Sequence, residues 1–244
     1  RTAVKSREKI PYTTVNGEHD DRQGEKITWW TNGFWGGLMW LMYAGTESEA
    51  NKAEYKATAD RAEILMDKAF EDLTKLHHDV GFMWHISSGA SYQLTGNMAS
   101  RNRDVLGAMS LMSRYNVNGD FIRSWNGNKT GWTIIDCMMN LPLLYWASEE
   151  TGNPSWKQLA EKHADTALNV ILRPDGSSNH IIRFDMETGE VLEKPGGQGY
   201  GEGSSWTRGQ SWAIYGMALS FRYTGKAEYL DAAKRIKAEF DNFR

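Results

Sequence analysis

The sequence has a single cysteine, Cys137, among its 244 residues, so no disulfide can form within the chain. Long apolar runs are also missing. Asp136 and Asn140 interrupt the best candidate for a membrane span, and Pro142 would kink it. The formal net charge is only −3, without the basic excess that binds nucleic acid or an anionic membrane. We therefore expect neither a membrane nor a nucleic acid as partner. A single cysteine does not distinguish an oxidising from a reducing cellular compartment.

Aromatic residues, in contrast, are abundant: the chain contains 11 Trp, 10 Tyr and 8 Phe. Many of the tryptophans stand beside Gly, Asn, Thr or Ser instead of inside aliphatic runs, as do Trp35, Trp125, Trp206 and Trp212. Indole rings in such settings suit a groove that binds sugars, whose apolar C–H faces are edged with hydroxyls. For any one of these tryptophans, ordinary packing is the alternative, but the set favours a carbohydrate cleft.

Apolar residues recur at helical spacing along most of the chain. The predicted helices are 33–45, 51–76, 82–94, 98–115, 131–150, 155–172, 207–224 and 226–243. The Gly-rich stretch 173–205 is predicted as a loop with a short β-hairpin, residues 180–184 pairing with 191–192. Its glycines lack the GxGxxG spacing of a dinucleotide site. Expected N-caps include Asn153 for 155–172, Thr130 or Thr133 for 131–150 and Ser205 or Thr207 for 207–224.

A repeat supports a helical array. Three of the predicted helices end with Thr-Gly, at Gly96, Gly152 and Gly225, and a glycine after Thr is typical of a helix C-cap. Each unit is then helix, tight turn, helix, which predicts a stack or ring of α-hairpins. Residues 1–7 are expected to be the tail of another helix. Because the last helix continues to Arg244 without a capping residue, we expect one domain over 1–244 whose C-terminal hairpins are missing.

The most informative stretch is 131–146, Gly-Trp-Thr-Ile-Ile-Asp-Cys-Met-Met-Asn-Leu-Pro-Leu-Leu-Tyr-Trp. Its one acid, Asp136, stands among apolar and aromatic residues. Burial disfavours a charged carboxylate and raises its pKa, which keeps a catalytic acid protonated near neutral pH. The alternative is an acid that caps a helix or pairs with an arginine. A second acid, Asp79, has a comparable setting and makes the catalytic interpretation the stronger one.

Asp79 follows two histidines, His77 and His78, and precedes Val-Gly-Phe-Met-Trp. The end of a helix would have this composition, because a protonated histidine interacts favourably with the dipole at a helix C-terminus. A metal site is disfavoured because adjacent histidines point in different directions and no further ligand cluster follows at the required spacing. We therefore expect no metal.

These motifs, in this order, resemble the unsaturated glucuronyl hydrolases of glycoside hydrolase family 88. The resemblance covers nearly the whole chain, and the 134–146 block is its most specific part. It implies an all-α (α/α)6 barrel, a six-hairpin toroid that is incomplete in this chain. It also implies a bacterial enzyme of the cytoplasm or periplasm, without a cofactor. The substrate is an oligosaccharide from a polysaccharide lyase, with a 4,5-unsaturated uronic acid at its non-reducing end.

The resemblance also implies roles for individual residues. Asp136 matches the acid that protonates C4 of the double bond and then deprotonates the water that adds at C5. Asp79 matches a second aspartate, which binds sugar hydroxyls and raises the pKa of Asp136 as a nearby like charge. The remaining matches are positions that contact the substrate or line its cleft: Trp35, His78, Trp125, His180, Gln198, Trp206, Arg208 and Trp212.

Three rival functions remain. An unsaturated rhamnogalacturonyl hydrolase would share the barrel and the hydration chemistry, although the 134–142 block favours the glucuronyl family. A catalytically silent sugar-binding barrel would need aromatics but no desolvated acid, so the paired aspartates argue against it. A helical-repeat scaffold for protein partners would carry its aromatics on an exposed ridge. The sulfation preference and the oligomeric state cannot be deduced from the sequence.

Overall fold

The computed structural model describes residues 2–242, and most of them lie in helices. The chain divides into two compact units, Arg1–Ser110 and Leu111–Arg244, and each is described by itself. No helix among the described residues is both long and apolar enough to cross a membrane.

The N-terminal unit is helical apart from one small antiparallel sheet. Its α-helices are α1 (Thr2–Lys5), α2 (Asn32–Gly45), α3 (Glu49–Met66), α4 (Ala90–Thr95) and α5 (Met98–Met112), the last of which crosses the unit boundary. The sheet pairs β1 (Thr14–Val15) with β2 (Glu18–His19). Between α3 and α4 the chain forms two 3-10 helices, Asp67–Glu71 and Leu73–Lys75, and then a π-helix, Gly81–Gly89.

The α2–α3 hairpin forms the core of this unit, and α2 also packs against the π-helix. Met39 and Trp40 of α2 meet Ala59 of α3 in a buried cluster. Helix α3 begins at Ser48, whose Oγ accepts a hydrogen bond from the backbone N–H of Asn51 at 3.4 Å. This contact satisfies one of the backbone donors that every helix leaves open at its first turn.

The C-terminal unit combines helical hairpins with a three-stranded sheet. Its α-helices are α6 (Leu141–Thr151), α7 (Pro154–Thr166), α8 (Thr207–Thr224) and α9 (Ala227–Asn242). Its strands are β3 (Tyr115–Asn116), β4 (Phe121–Ile122), β5 (Trp132–Ile134), β6 (Ile181–Phe184) and β7 (Val191–Glu193). Its remaining helical turns are the 3-10 helices Gly127–Lys129 and Ile135–Met139 and the π-helix Ala167–Ile171.

Stacked aromatic rings join the elements of this unit. Tyr145 of α6 stacks on Tyr223 of α8 with centroids 5.0 Å apart, and Phe121 of β4 stacks on Phe184 of β6 at 4.4 Å. The order β5-β6-β7 is antiparallel throughout, and Thr133 of β5 pairs with the strand β6. This pairing places the end of β5, and the 3-10 helix that follows it, beside the start of β6.

Most of the predicted helices are confirmed. Helix α8 has the predicted bounds, and α2, α5, α7 and α9 begin within one residue of their predicted starts. The three Thr-Gly sequences do end helices: Gly96, Gly152 and Gly225 have φ of 71°, 68° and 73°, the left-handed conformation typical of a C-cap. The predicted β-hairpin is observed as β6 and β7, and the predicted N-terminal helix as α1. The end of 226–243 lies outside the described residues.

The prediction of one helix over 131–150 is wrong in its first half. Residues 132–134 form β5, residues 135–139 a 3-10 helix, and only 141–151 is α-helical. Thr133 is therefore a strand residue and no N-cap; its hydroxyl donates to the carbonyl of Ile122 at 2.9 Å. Burial on both faces gives this strand the continuous apolar character that also marks a buried helix, so periodicity cannot distinguish them.

Smaller corrections concern helix ends and one helix cap. The α-helical part of the predicted helix 51–76 ends at Met66, and the predicted helix 98–115 ends at Met112. The predicted helices 82–94 and 155–172 both contain π-helical turns. The N-cap of α8 is Trp206, without a side-chain hydrogen bond, in place of the expected Ser205 or Thr207. The expected cap Asn153 is confirmed, since its Oδ1 accepts from the N–H of Ser155 at 3.0 Å.

We expect Gly216→Ala to destabilise the protein. A Cβ at Gly216 of α8 would lie 2.5 Å from Cβ and 3.0 Å from the carbonyl oxygen of Met138, in the 3-10 helix Ile135–Met139. These atoms cannot rotate away, so the two helices must separate. We expect a loss of about 1–3 kcal/mol, or roughly 2–12 °C in Tm by thermal unfolding. Gly45→Ala is the matched control, because no heavy atom would lie within 4 Å of the added methyl group; equal Tm values for both variants would contradict this packing.

Candidate active site

Asp136 lies at the junction between a strand and a helix. It is the second residue of the 3-10 helix Ile135–Met139, directly after β5. Its sequence neighbours Ile135 and Cys137 are fully buried, while the Asp136 side chain retains 13% of its exposure. The backbone N–H of Ile135 donates to the carbonyl oxygen of His180 at 3.1 Å, which joins this junction to the start of β6. The side chain is thus largely buried, between two buried apolar neighbours.

His180 is the histidine nearest to this carboxyl group. Its Nδ1 accepts a hydrogen bond from the backbone N–H of Gln198 at 2.9 Å, so in the neutral ring the hydrogen is on Nε2. Nε2 lies 3.7 Å from Oδ2 of Asp136, beyond direct hydrogen-bond range. Gly197 makes this arrangement possible, since a Cβ there would lie 2.0 Å from Nδ1 of His180. The backbone therefore fixes which nitrogen faces the acid.

Trp206 and Arg208 extend the same cluster. The Trp206 ring lies 4.8 Å from that of His180, and the Arg208 guanidinium lies over Trp206 at 4.2 Å from its centroid. Arg208 also donates to Oε1 of Gln198 at 2.8 Å. Trp212 is half-buried on the same face of α8, one turn beyond Arg208. Direct contacts thus join four predicted site residues, His180, Gln198, Trp206 and Arg208, and His180 lies beside Asp136.

In the N-terminal unit, Asp79 lies between two histidines. Its Oδ2 is 3.0 Å from Nδ1 of His77 and 3.3 Å from Nε2 of His78, and its side chain is 14% exposed. Nε2 of His77 donates to the carbonyl oxygen of Thr28 at 2.8 Å, which orients that ring. Burial works to raise the pKa of Asp79, but the charge of His78 and the hydrogen bonds from both histidines outweigh it, so the pKa is well below its usual value. Asp79 is therefore ionised near neutral pH.

The remaining predicted residues have different surroundings. Trp35, on α2, packs against the Met39–Trp40–Ala59 cluster and meets His19 edge-on at 5.7 Å. His78 is fully buried beside Asp79. Trp125 is half-buried in the loop before β5, 6.0 Å from the ring of Trp132. Within residues 2–242, no group of three or more His, Cys, Asp or Glu side chains has the arrangement of a metal site.

Comparisons with known proteins agree on one family. The family model described as Glycosyl Hydrolase Family 88 matches residues 2–242. An unsaturated glucuronyl hydrolase of Bacillus sp. (strain GL1) is 39% identical over 215 residues, which are 86% of this chain and 56% of that protein. An unsaturated chondroitin disaccharide hydrolase of Streptococcus pneumoniae (strain ATCC BAA-255 / R6) is 36% identical over 219 residues, 88% of this chain and 54% of that one.

The solved structures include the unsaturated glucuronyl hydrolase of Bacillus sp. GL1, described as responsible for the degradation of glycosaminoglycan. It matches with a TM-score of 0.85 and 34% identity, over 98% of this chain and 65% of that one. This similarity confirms the predicted fold class, all-α of the (α/α)6-barrel type. The chain spans about half the length of the curated relatives it matches.

Proposed function

This chain belongs to glycoside hydrolase family 88, and on that premise we propose that it removes a 4,5-unsaturated uronic acid from the non-reducing end of glycosaminoglycan-type oligosaccharides. The observation that carries the proposal is the Asp136 carboxyl group, largely buried after β5 and 3.7 Å from a histidine whose tautomer is fixed. Both relatives cited above are named for unsaturated sugar substrates, which supports the same substrate class.

In the proposed reaction Asp136 is first an acid and then a base. Its proton is transferred to C4 of the double bond, and positive charge develops at C5 and the ring oxygen. The carboxylate then accepts a proton from a water molecule as the water oxygen bonds to C5, so the acid is regenerated. The resulting hemiketal opens and releases the aglycone. One carboxyl group suffices, unlike the acid and base or nucleophile pairs of ordinary glycosidases.

The groups around Asp136 are proposed to bind and orient the reactants. His180, with its hydrogen on Nε2, donates to the attacking water or to the carboxylate that forms. Arg208 binds a carboxylate or a sulfate of the substrate, since a guanidinium pairs with such anions in a fixed geometry. Gln198 contacts both His180 and Arg208 and fixes their relative positions. Trp206 and Trp212 line the cleft.

Asp79 and its neighbours are proposed to bind the sugar. As an ionised carboxylate, Asp79 accepts hydrogen bonds from sugar hydroxyls, and its charge disfavours ionisation of Asp136 in the substrate complex. His78 orients Asp79, while Trp35 and Trp125 contact the uronate ring. No cofactor or metal enters this scheme. A location in the bacterial cytoplasm or periplasm is proposed from the bacterial relatives.

Incubation with an unsaturated chondroitin disaccharide tests the proposal most directly. Loss of the ultraviolet absorption of the enoic acid reports on the double bond itself. We expect this loss with chondroitin or hyaluronan lyase products and not with rhamnogalacturonan lyase products. The reverse preference would establish the rhamnogalacturonyl activity. Binding without any loss of absorption would identify a silent sugar-binding protein.

Isotope labelling tests the chemistry. We expect the reaction in deuterium oxide, sampled early, to place one deuteron at C4 of the uronate-derived product, because protonation at C4 precedes the addition of water at C5. Nuclear magnetic resonance of the product measures the label. The saturated glucuronide is the control and should remain intact, since it has no carbon that can accept the proton. A released product without deuterium at C4 would point to ordinary glycoside hydrolysis.

A further inference from the structure

Lys129 and Trp132, to which the proposed reaction gives no role, form a group with Trp125. Nζ of Lys129 lies 4.8 Å from the ring centroid of Trp125 and 5.2 Å from that of Trp132. The two indole rings are 6.0 Å apart and inclined at 56°. We call Trp125, Lys129 and Trp132 the aromatic–lysine cluster. Two ring faces attract one ammonium group, so its position is restricted although Lys129 is exposed.

Within residues 2–242, the ammonium group of Lys129 has no carboxylate partner at ion-pair distance. Elsewhere in the C-terminal unit, Lys162 lies 3.3 Å from a carboxylate oxygen of Asp120, and Lys226 lies 2.9 Å from one of Glu161. Among the described residues no carboxylate forms an ion pair with Lys129. An ammonium group that is held in place, exposed and not neutralised is suited to bind an anion from solution.

Arg114 holds the loop that carries this cluster. Its guanidinium is almost fully buried and donates to the carbonyl oxygens of Arg123, Ser124 and Trp125 at 2.9, 3.1 and 3.0 Å. It also donates to Oδ1 of Asn126 at 2.9 Å. Such hydrogen bonds from a charged donor fix consecutive peptide groups of the loop. Trp125 is therefore held in place before any ligand binds.

The cluster also lies near the proposed acid. Trp132 is the first residue of β5, and Asp136 follows four residues later, so their Cα atoms are at most about 14 Å apart. A bound disaccharide can span such a distance. Indole faces stack on the apolar faces of sugar rings, and the ammonium between them selects a ring that carries negative charge.

We propose that the aromatic–lysine cluster is a subsite for an anionic group, a sulfate or a carboxylate, of the bound oligosaccharide. The proposal rests on the proposed function, because it assigns the cluster to the same substrate. Trp125 and Trp132 supply the stacking surface, Lys129 supplies the charge, and Arg114 is a positioning residue for the loop.

Substrate pairs that differ by one charge test this subsite. For Lys129→Gln we expect the KM of a sulfated unsaturated chondroitin disaccharide, divided by that of its unsulfated counterpart, to rise about tenfold over the wild-type ratio. Lys129→Arg, which keeps the charge, should restore the ratio to within about threefold. Lys234→Gln is the matched control, since Lys234 is an exposed lysine on α9. The value of kcat should change little, because a charge that binds ground state and transition state alike alters KM.

A second pair distinguishes the two sources of the anion. The unsulfated disaccharide is compared with the methyl ester of its unsaturated uronate. A change confined to the sulfate pair assigns Lys129 to a sulfate on the neighbouring sugar, and a change confined to the ester pair assigns it to the uronate carboxylate. If neither ratio differs between wild type and Lys129→Gln, the subsite does not exist.

Binding measurements separate this proposal from the proposed function. If the wild-type protein cleaves none of these disaccharides, the proposed function fails. The subsite is then tested by the quenching of tryptophan fluorescence with the sulfated disaccharide. Weaker binding by Lys129→Gln than by Lys234→Gln would support the subsite. Equal binding by the two variants, or no binding by the wild type, would overturn it.

Discussion

Replacing Asp136 by asparagine should abolish turnover while the fold and the binding of substrate are retained. The amide has nearly the same shape as the carboxylic acid but cannot transfer a proton to C4. General acid–base catalysis contributes about 10²–10⁴-fold, so kcat should fall by at least about a hundredfold with little change in substrate affinity. Steady-state kinetics on the unsaturated disaccharide and equilibrium binding measure the two effects separately.

The control for this variant is an exposed aspartate in the same unit. Asp231→Asn, on the surface of α9, is the same chemical substitution at an exposed position and should leave kcat unchanged. Circular dichroism should show both variants folded. If Asp136→Asn retains more than a few per cent of the wild-type kcat, another group is the acid, and the apolar junction after β5 serves the fold alone.

Asp79→Asn should also impair the enzyme severely, and by a different route. Asparagine cannot accept the charge-assisted hydrogen bonds that an ionised carboxylate receives from sugar hydroxyls, and a misplaced substrate reacts about a hundredfold more slowly. We therefore expect a drop of about that size in kcat/KM. Asp72→Asn, an exposed acid in the same unit, is the control and should behave as the wild type.

The pH profile of Asp79→Asn tests whether the charge of Asp79 influences the pKa of Asp136. In the proposed reaction the active form of Asp136 is protonated, so activity should fall as the pH rises through its pKa. The proposed role of ionised Asp79 is to disfavour a second negative charge and so to raise that pKa. Removing it lowers the pKa of Asp136, and the falling limb should move toward acid pH. An unshifted limb would mean that Asp79 binds hydroxyls without influencing the acid.

The helical hairpins could be predicted from the sequence because their signals are local. The Thr-Gly sequence that ends at Gly225 indicates a left-handed residue at the end of a helix. The Asn-Pro pair at Asn153 starts α7 through a side-chain hydrogen bond. The strand β5 could not be recognised in the same way. Its three residues gain their partner from β6, some 47 residues later, and burial on both faces removes the alternation that identifies a strand.

Part of the candidate site could also be predicted from the sequence. Asp136 is conspicuous as one acid among apolar residues, and Asp79 by the two histidines before it. The link between His180 and Gln198 depends on a backbone contact across 18 residues, which no local pattern encodes. The role of Arg114 is equally hidden, because its acceptors include three backbone carbonyl groups, which any residue type could supply. Lys129 does leave a signal, namely a lone cation between Trp125 and Trp132.

The π-helix Gly81–Gly89, which begins two residues after Asp79, has a consequence for chain length. Each of its hydrogen-bonded rings contains one residue more than an α-helical ring. Losing a residue here would tighten the backbone to α-geometry while its two flanks keep their places. The same loss inside α3 would rotate everything beyond it by about 100°. Evolution can therefore shorten the chain by one residue beside Asp79 without turning that aspartate away.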